Sequence, residues 1–205
     1  MRPVVLCFVA HPDDETIGAG ATLAHLAADH DVYVVAFADG VGSRYLDADV
    51  AHAAAARQRA QQFTDACELL GCAGAWIAPA FADQESDMVS QLSINRAVEA
   101  QLRTWQDREI VLVVTHHPGD LNLDHRRVSE AVLVATRHLV CPIWLMAPEY
   151  PSRAQGWAPT RYVPAVAPKR SALECYRQEV RPAPHSRSIE ALCGPGVVER
   201  FQVLR

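Results

Sequence analysis

Four short apolar runs, each followed by a segment with helical periodicity, constrain the fold of this chain most strongly. They lie at residues 3–9, 31–38, 73–79 and 110–114 and contain many β-branched and aromatic side chains. Successive strand–helix units pack as a parallel sheet with right-handed crossovers, because each crossover must bury a face of the strands that it connects. The sequence therefore predicts an α/β fold, Rossmann-like and doubly wound, with a mainly parallel sheet and helices on both faces.

The C-terminal third of the sequence is less regular. We expect a fifth strand at residues 142–147, an edge strand at 161–163 and a helix from about 169 to 180. No internal repeat, low-complexity tract or linker divides the sequence, and 205 residues suit one large domain. We therefore predict a single domain over residues 1–205.

The charge of the chain argues against two classes of partner. The net charge is −5 with nine neutral His, and Lys and Arg are not clustered, so neither nucleic acid nor an anionic membrane has electrostatic support. No apolar run approaches the roughly eighteen residues of a membrane span, and the six Cys form no C-x-x-C pair. The first residues do not show the basic and apolar regions of a secretory leader, so we do not expect one. We expect a cytoplasmic protein that acts on a small molecule, and its oligomeric state stays open.

A polar hexapeptide follows the first apolar run. Residues 10–15 are Ala-His-Pro-Asp-Asp-Glu, at the edge where open α/β sheets bind ligands. Zinc and related metals take imidazole nitrogen and carboxylate oxygen, so His11 and Asp14 could bind one ion together. For these two residues alone, a plain strand-to-helix turn with carboxylates near the helix N-terminus explains the pattern equally well. Glu15 fits a helix-start carboxylate better than a ligand.

The fourth apolar run leads into a second polar loop, residues 115–125. His125 would complete a set of three ligands with His11 and Asp14, the number that a catalytic zinc site uses while it keeps one position for water. Asp13 would then be a carboxylate beside the metal that takes a proton from the attacking water. No G-x-G-x-x-G pattern follows the first run, which argues against a dinucleotide site.

Two motifs together resemble the PIG-L/LmbE family of zinc-dependent N-deacetylases. The first motif of that family is A-H-P-D-D-E, as at residues 10–15, and the second ends in D-H, as in Asn-Leu-Asp-His-Arg at residues 122–126. The resemblance also includes Asp39-Gly40, the helix with Arg59 that ends in Leu70-Gly71, the loop with Asp83, and residues 181–188. It therefore covers nearly the whole chain.

The resemblance implies that His11, Asp14 and His125 are zinc ligands and that Asp13 is the general base. The reaction would be hydrolysis of an N-acetyl group on an amino sugar, with release of acetate. Family substrates are mostly N-acetylglucosamine conjugates, so a glycan, nucleotide-sugar or natural-product intermediate is expected. Zinc and iron(II) both suit two His and a carboxylate, which makes Fe²⁺ the alternative metal.

Seven residues are candidates for substrate binding, because sugars are held by charged and amide groups on loops around a crevice. They are Asp39, Arg59, Asp83, Asp120, Asn122, His185 and Arg187. Asn122 stands where some family members of the thiol pathways carry a His that is proposed to stabilise the oxyanion. Asp120, His116 and His117 are also candidates for ligands or for partners of ligands, although a capped loop is the simpler explanation.

Two other functions fit the same residues. An amidase that cleaves a larger acyl or cysteine conjugate would use the same chemistry on a different substrate. A non-catalytic sugar- or nucleotide-binding module would use the fold alone, since fold does not determine function. The set of His11, Asp13, Asp14 and His125 argues against such a module, because it has no use for a general base beside a metal.

Overall fold

Strands and helices alternate through the first two thirds of the chain. The computed structural model describes residues 1–42, 49–177, 189–194 and 196–204. The alternating elements are β1 (Val4–Val9), α1 (Asp14–Leu26), β2 (Asp31–Ala36), α2 (Asp49–Leu69), β3 (Gly74–Ile77), α3 (Gln91–Leu102), β4 (Ile110–Thr115) and α4 (Leu123–Ala135). Short 3-10 turns lie at Ser86–Met88, Arg103–Trp105 and Pro151–Arg153.

The remaining elements are β5 (Ile143–Met146), β6 (Arg161–Pro164), α5 (Ala167–Cys175), α6 (Ile189–Cys193) and β7 (Val198–Leu204). All seven strands join one sheet in the order β3-β2-β1-β4-β5-β7-β6. The first five pair in parallel, whereas β7 pairs antiparallel with both β5 and β6. The predicted α/β fold, the fifth strand and the edge strand at residues 161–163 are confirmed.

β1 is the central buried element of the sheet. Its six residues have no exposed surface, because β2 and β4 flank it and helices cover both faces. Val5, Cys7 and Val9 face the core under α1, α2, α5 and α6, whereas alternate residues face the core under α3 and α4. A strand buried on both sides can present polar groups only beyond its end.

The strand order reverses direction at β1. From β1 the chain adds β2 and β3 on one side and then returns to place β4 and β5 on the other side. The loops that follow β1 and β4 therefore separate at the carboxyl edge of the sheet and leave a crevice between them, as in other doubly wound folds. Both polar loops that the sequence singles out lie at this crevice.

The C-terminal elements are tied to α1 by a buried ion pair. Lys169 Nζ on α5 lies 2.8 Å from Glu199 Oε1 on β7, and both side chains are almost fully buried. Glu199 also accepts hydrogen bonds from the backbone N–H groups of Ala21 and Thr22 on α1, at 2.7 and 2.9 Å. This network joins three elements that are far apart in sequence. None of the helices within the described ranges is long and apolar enough to cross a membrane.

We predict that Glu199→Gln lowers the free energy of unfolding by about 3–5 kcal/mol, because it leaves the Lys169 ammonium buried without a charged partner. Urea denaturation of the purified protein measures the change. Glu174→Gln is the matched control, since the ion pair of Glu174 with Arg177 is exposed and screened by water, and it should leave the unfolding curve unchanged. A loss below about 1 kcal/mol for Glu199→Gln would contradict this account of the pair.

Candidate active site

The three predicted ligands meet at the crevice. His11 follows β1, Asp14 begins α1, and His125 lies in the first turn of α4. Asp14 Oδ2 is 3.3 Å from His11 Nδ1, and Asp14 Oδ1 is 3.3 Å from His125 Nε2. One ligand atom from each residue lies within 4.8 Å of the others. Two imidazole nitrogens and one carboxylate oxygen at this spacing fit a divalent metal ion.

In both histidines, the ring nitrogen that does not face Asp14 is paired with a carboxylate. His11 Nε2 lies 2.9 Å from Asp124 Oδ2 and 3.0 Å from Asp83 Oδ1, and His125 Nδ1 lies 3.1 Å from Asp120 Oδ2. A carboxylate that accepts a hydrogen bond from this nitrogen selects the tautomer in which the other ring nitrogen has a free lone pair. The structure therefore places Asp83 and Asp120, which are substrate-binding candidates, against the histidines.

The same contacts shift the pKa values of the ligands. Burial lowers the pKa of His125, but the nearby Asp14 and Asp120 carboxylates outweigh burial and raise it to about 9. Burial also opposes protonation of His11, yet hydrogen bonds to Asp124, Asp14 and Asp83 raise its pKa well above the ordinary value. Asp14 shows the reverse effect: burial favours its neutral form, but His125 and His116 hold its pKa well below the usual range. Protons and a metal ion would therefore compete for the imidazoles of His11 and His125.

His116 and His117 have different roles in the second loop. The Nε2 atom of His116 accepts a hydrogen bond from the Ala10 N–H at 2.9 Å, and its ring stacks on His125 with centroids 4.0 Å apart. Burial, followed by the charge of His125, lowers the pKa of His116 to about 4, so it is neutral near pH 7. His117 instead packs edge-on against Trp157 and caps its own loop through the Gly119 N–H.

Asn122 is the N-cap of α4. Its side-chain oxygen accepts hydrogen bonds from the backbone N–H groups of Asp124 and His125, at 2.9 and 3.4 Å. Asn122, a substrate-binding candidate, therefore caps the helix, and the cap orients the turn that carries His125. Because its oxygen is engaged, only the amide NH₂ of Asn122 remains to serve a substrate.

Asp13 lies beside the ligands in an unusual backbone conformation. Its φ is 116°, a value that L-residues rarely adopt. Its Oδ2 atom lies 2.9 Å from Arg59 Nη2, which also donates to the Pro12 carbonyl at 2.7 Å. Burial raises the pKa of Asp13, and Arg59 opposes this rise. Three groups of described residues offer metal-binding atoms at this spacing, and none of them includes Asp13. The groups are His11 with Asp14 and His125, His116 with Asp120 and His125, and His11 with Asp83 and Asp124.

Gly40 lets the loop after β2 close over Arg59. Its φ is +71°, and a Cβ atom there would lie 3.0 Å from Pro12 Cδ and 3.3 Å from Arg59 Nη2. The preceding residue, Asp39, lies with its Oδ2 atom 3.0 Å from His52 Nε2 on α2. The other two binding candidates, His185 and Arg187, lie outside the described residues.

Sequence reasoning missed two residues at this crevice. His52 is not among the candidates from the sequence, yet it pairs with Asp39. Its spacing of seven residues from Arg59, which puts both on one face of α2, was the available signal. Gln84 adopts a positive φ of 67°, which lets its N–H donate to Asp124 at 2.9 Å while its side-chain amide donates to Asp83 at 3.1 Å. No sequence pattern predicted that arrangement.

The chain is similar to several known proteins. A family profile described as GlcNAc-PI de-N-acetylase, PIG-L, matches residues 6–136. An uncharacterized deacetylase of Escherichia coli K12, YaiS, is 33% identical over 141 residues, which cover 66% of this chain and 69% of YaiS.

Several solved structures share the fold, a deacetylase and a hydratase among them. The N,N'-diacetylchitobiose deacetylase of Pyrococcus horikoshii superposes with a TM-score of 0.76 at 22% identity, over 99% of this chain and 84% of that one. GalB, the 4-carboxy-2-hydroxymuconate hydratase of Pseudomonas putida KT2440, superposes with a TM-score of 0.71 at 18% identity, over 86% of this chain and 80% of that one. At such identities the likeness concerns the fold, which serves two different reactions in these proteins.

We predict that metal binding to the metal-free protein releases protons and weakens as the pH falls below about 9. The raised pKa of His125 means that its proton is present below that value and lost above it, and an imidazole must lose this proton before the nitrogen can bind a metal. Calorimetric titration with Zn²⁺ near pH 7, in buffers of different ionisation enthalpy, measures the protons released. His25→Gln, at an exposed position on α1, should leave the release unchanged. Affinity that does not vary between about pH 6 and 9 would contradict this prediction.

We predict that Asn122→Ala lowers the free energy of unfolding by about 1 kcal/mol, whereas Asn122→Ser changes it by only a few tenths. Alanine removes the cap acceptor, and the serine hydroxyl can replace it. Urea denaturation of the two variants and the native protein tests the difference. Equal stability of the alanine variant and the native protein would show that the cap does not stabilise α4.

Proposed function

Because this chain belongs to the PIG-L family of deacetylases, we propose that it is a zinc-dependent hydrolase that removes the N-acetyl group from an amino sugar and releases acetate. One observation carries the proposal: His11, Asp14 and His125 place three metal-binding atoms within 4.8 Å of one another, while Asp13, next to Asp14 in the chain, is held by Arg59 instead. A metal site with a separate carboxylate beside it suits hydrolysis of an amide. Fe²⁺ fits the same three donors and is the alternative metal.

The metal, when bound, would polarise the acetamide carbonyl and lower the pKa of the attacking water. Asp13 takes the proton from that water as its oxygen attacks the carbonyl carbon. As the C–N bond breaks, Asp13 returns the proton to the departing amine nitrogen, so the products are acetate and the free amino sugar. The hydrogen bond from Arg59 is to the Oδ2 atom of Asp13, so Oδ1 is the atom proposed to take the proton.

The carboxylates behind the histidines keep this arrangement in place. Asp120 holds His125, and Asp124 with Asp83 holds His11, while the other ring nitrogen of each histidine faces Asp14. Partners of this kind raise the basicity of metal-binding imidazoles and fix their orientation. We propose that Asp83 has this positioning role in addition to any contact with the sugar.

Contacts with the sugar are proposed for the loops at the rim of the crevice. Asp39 with its partner His52 can exchange hydrogen bonds with hydroxyl groups. The free amide NH₂ of Asn122 can donate to the carbonyl oxygen as negative charge develops there. The roles of His185 and Arg187, the acceptor that carries the sugar and the cytoplasmic location stay predictions from the sequence.

We predict that Asp13→Asn lowers kcat for acetate release by about 100-fold or more, because the amide cannot accept the proton. Its metal content should equal that of the native protein, since Asp13 is not a ligand. The assay measures acetate from N-acetylglucosamine, from N,N'-diacetylchitobiose and, to test the amidase alternative, from N-acetylcysteine conjugates. Zinc and iron are measured on the same samples after reconstitution with each metal.

The matched control is Asp29→Asn, which makes the same chemical change at an exposed position beyond the far end of α1 and should preserve kcat. Loss of metal from Asp13→Asn would make Asp13 a ligand and contradict the proposed division of roles. Tight sugar binding without acetate release by the zinc- and iron-loaded native protein would favour the non-catalytic module.

A further inference from the structure

The backbone N–H of Asp13 is held by a hydrogen bond to a buried carboxylate. The Asp13 N–H donates to Glu15 Oε2 at 3.0 Å, and the Glu15 side chain has no exposed surface. A residue with a φ of 116° keeps that conformation only where its surroundings hold it. The hydrogen bond to Glu15 is therefore one of the contacts that maintain the turn of Asp13.

The other oxygen of Glu15 is itself held by two hydroxyl groups. Thr16 Oγ donates to Glu15 Oε1 at 2.5 Å, and the hydroxyl of Tyr176 donates to the same atom at 2.9 Å. Thr16 is the next residue in α1, whereas Tyr176 comes from the end of α5, which is 161 residues away. Tyr176 thus connects a distant element to the turn that carries Asp13.

The carboxylate of Asp13 is held by a second group that Tyr176 also contacts. Arg59 Nη2 lies 2.9 Å from Asp13 Oδ2, and Arg59 Cζ lies 5.4 Å from the centroid of the Tyr176 ring. A guanidinium at that distance from an aromatic face is attracted to the ring, more strongly where water is excluded. Tyr176 is fully buried and Arg59 nearly so, so the ring also limits where the guanidinium can move.

These contacts form a closed circuit of four residues: Asp13, Glu15, Tyr176 and Arg59. We propose that Tyr176 is a positioning residue for Asp13, which acts through its hydroxyl on Glu15 and through its ring on Arg59. The proposal rests on the proposed function, because it takes Asp13 as the base. Tyr176 lies beyond residues 6–136, the part that the family profile matches, so a C-terminal element of this chain completes the catalytic turn.

This circuit gives the hydroxyl group of Tyr176 a role beyond packing in the core. A tyrosine that served the core by packing alone would lose nothing on conversion to phenylalanine apart from one hydrogen bond. If Tyr176 positions the base, loss of its hydroxyl lets Asp13 move. Displacement of a reacting group by about 1 Å can lower the rate by about 100-fold. A packing role and a positioning role of Tyr176 therefore predict different kcat values for Tyr176→Phe.

The test compares Tyr176→Phe and Tyr176→Leu with the native metal-loaded protein. We expect kcat for acetate release from N,N'-diacetylchitobiose to fall about tenfold in Tyr176→Phe and further in Tyr176→Leu, which also removes the ring from Arg59. KM and metal content should stay within about twofold of native values, because neither the metal ligands nor the sugar contacts change. Tyr33→Phe, on the opposite face of the sheet, is the control and should preserve kcat.

Two further comparisons separate positioning from packing. In the Asp13→Asn background, Tyr176→Phe should lower the residual kcat no further, since the group that it positions is already lost. Glu15→Gln should lower kcat, and adding Tyr176→Phe should cost little more, because both changes break the same contact. The proposal would be overturned if Tyr176→Phe lowered kcat by the same factor in the native and the Asp13→Asn backgrounds. An unchanged kcat in Tyr176→Phe would also overturn it.

Crystal structures of the native protein and Tyr176→Leu give a readout that does not require turnover. We expect the carboxylate of Asp13 to move away from Arg59 by about 1 Å or more in the variant. An unmoved Asp13 would overturn the proposal even if the native protein released no acetate. Absence of acetate from the native protein with a displaced Asp13 in the variant would instead overturn the proposed function alone.

Discussion

Burial of β1 on every side is the constraint on which the rest of the structure depends. The strand lies between β2 and β4 and under helices on both faces, so its residues have no exposed surface. The chain can become polar only where β1 ends, and there it presents His11 and then Asp14 within one turn. Because the strand order reverses at β1, the loop after β4 faces the same crevice and brings His125 to them.

Charge balance within the crevice follows from this placement. The carboxylates of Asp14, Asp83, Asp120 and Asp124 surround His11 and His125, and each of these two histidines contacts at least two of them. Buried charges persist only where they are paired or bind a metal. The same carboxylates raise the pKa values of His11 and His125, and a divalent cation can supply positive charge at this point in place of protons.

Elements of the C-terminal third of the chain stabilise the turn of Asp13 through contacts with α1, Glu15 and Arg59. α5 and β7 join α1 through the ion pair of Lys169 with Glu199. Tyr176, at the end of α5, contacts both Glu15 and Arg59. The family profile ends at residue 136, yet the groups that hold the proposed base extend well past it. Stability of the C-terminal elements and the geometry of the crevice are therefore linked in this fold.

The sequence by itself determined the strand–helix order and the motifs that carry His11, Asp14 and His125, because periodicity and adjacency are local properties of a chain. It also predicted the fifth strand and the edge strand, but not the antiparallel insertion of β7 between them, since a local pattern does not specify a pairing partner. Only the tertiary structure decided which carboxylate holds which histidine, that Gln84 and His52 reach the crevice, and that Tyr176 contacts both Glu15 and Arg59. Those contacts join residues up to 161 positions apart, and they depend on how whole elements pack, which no local pattern encodes.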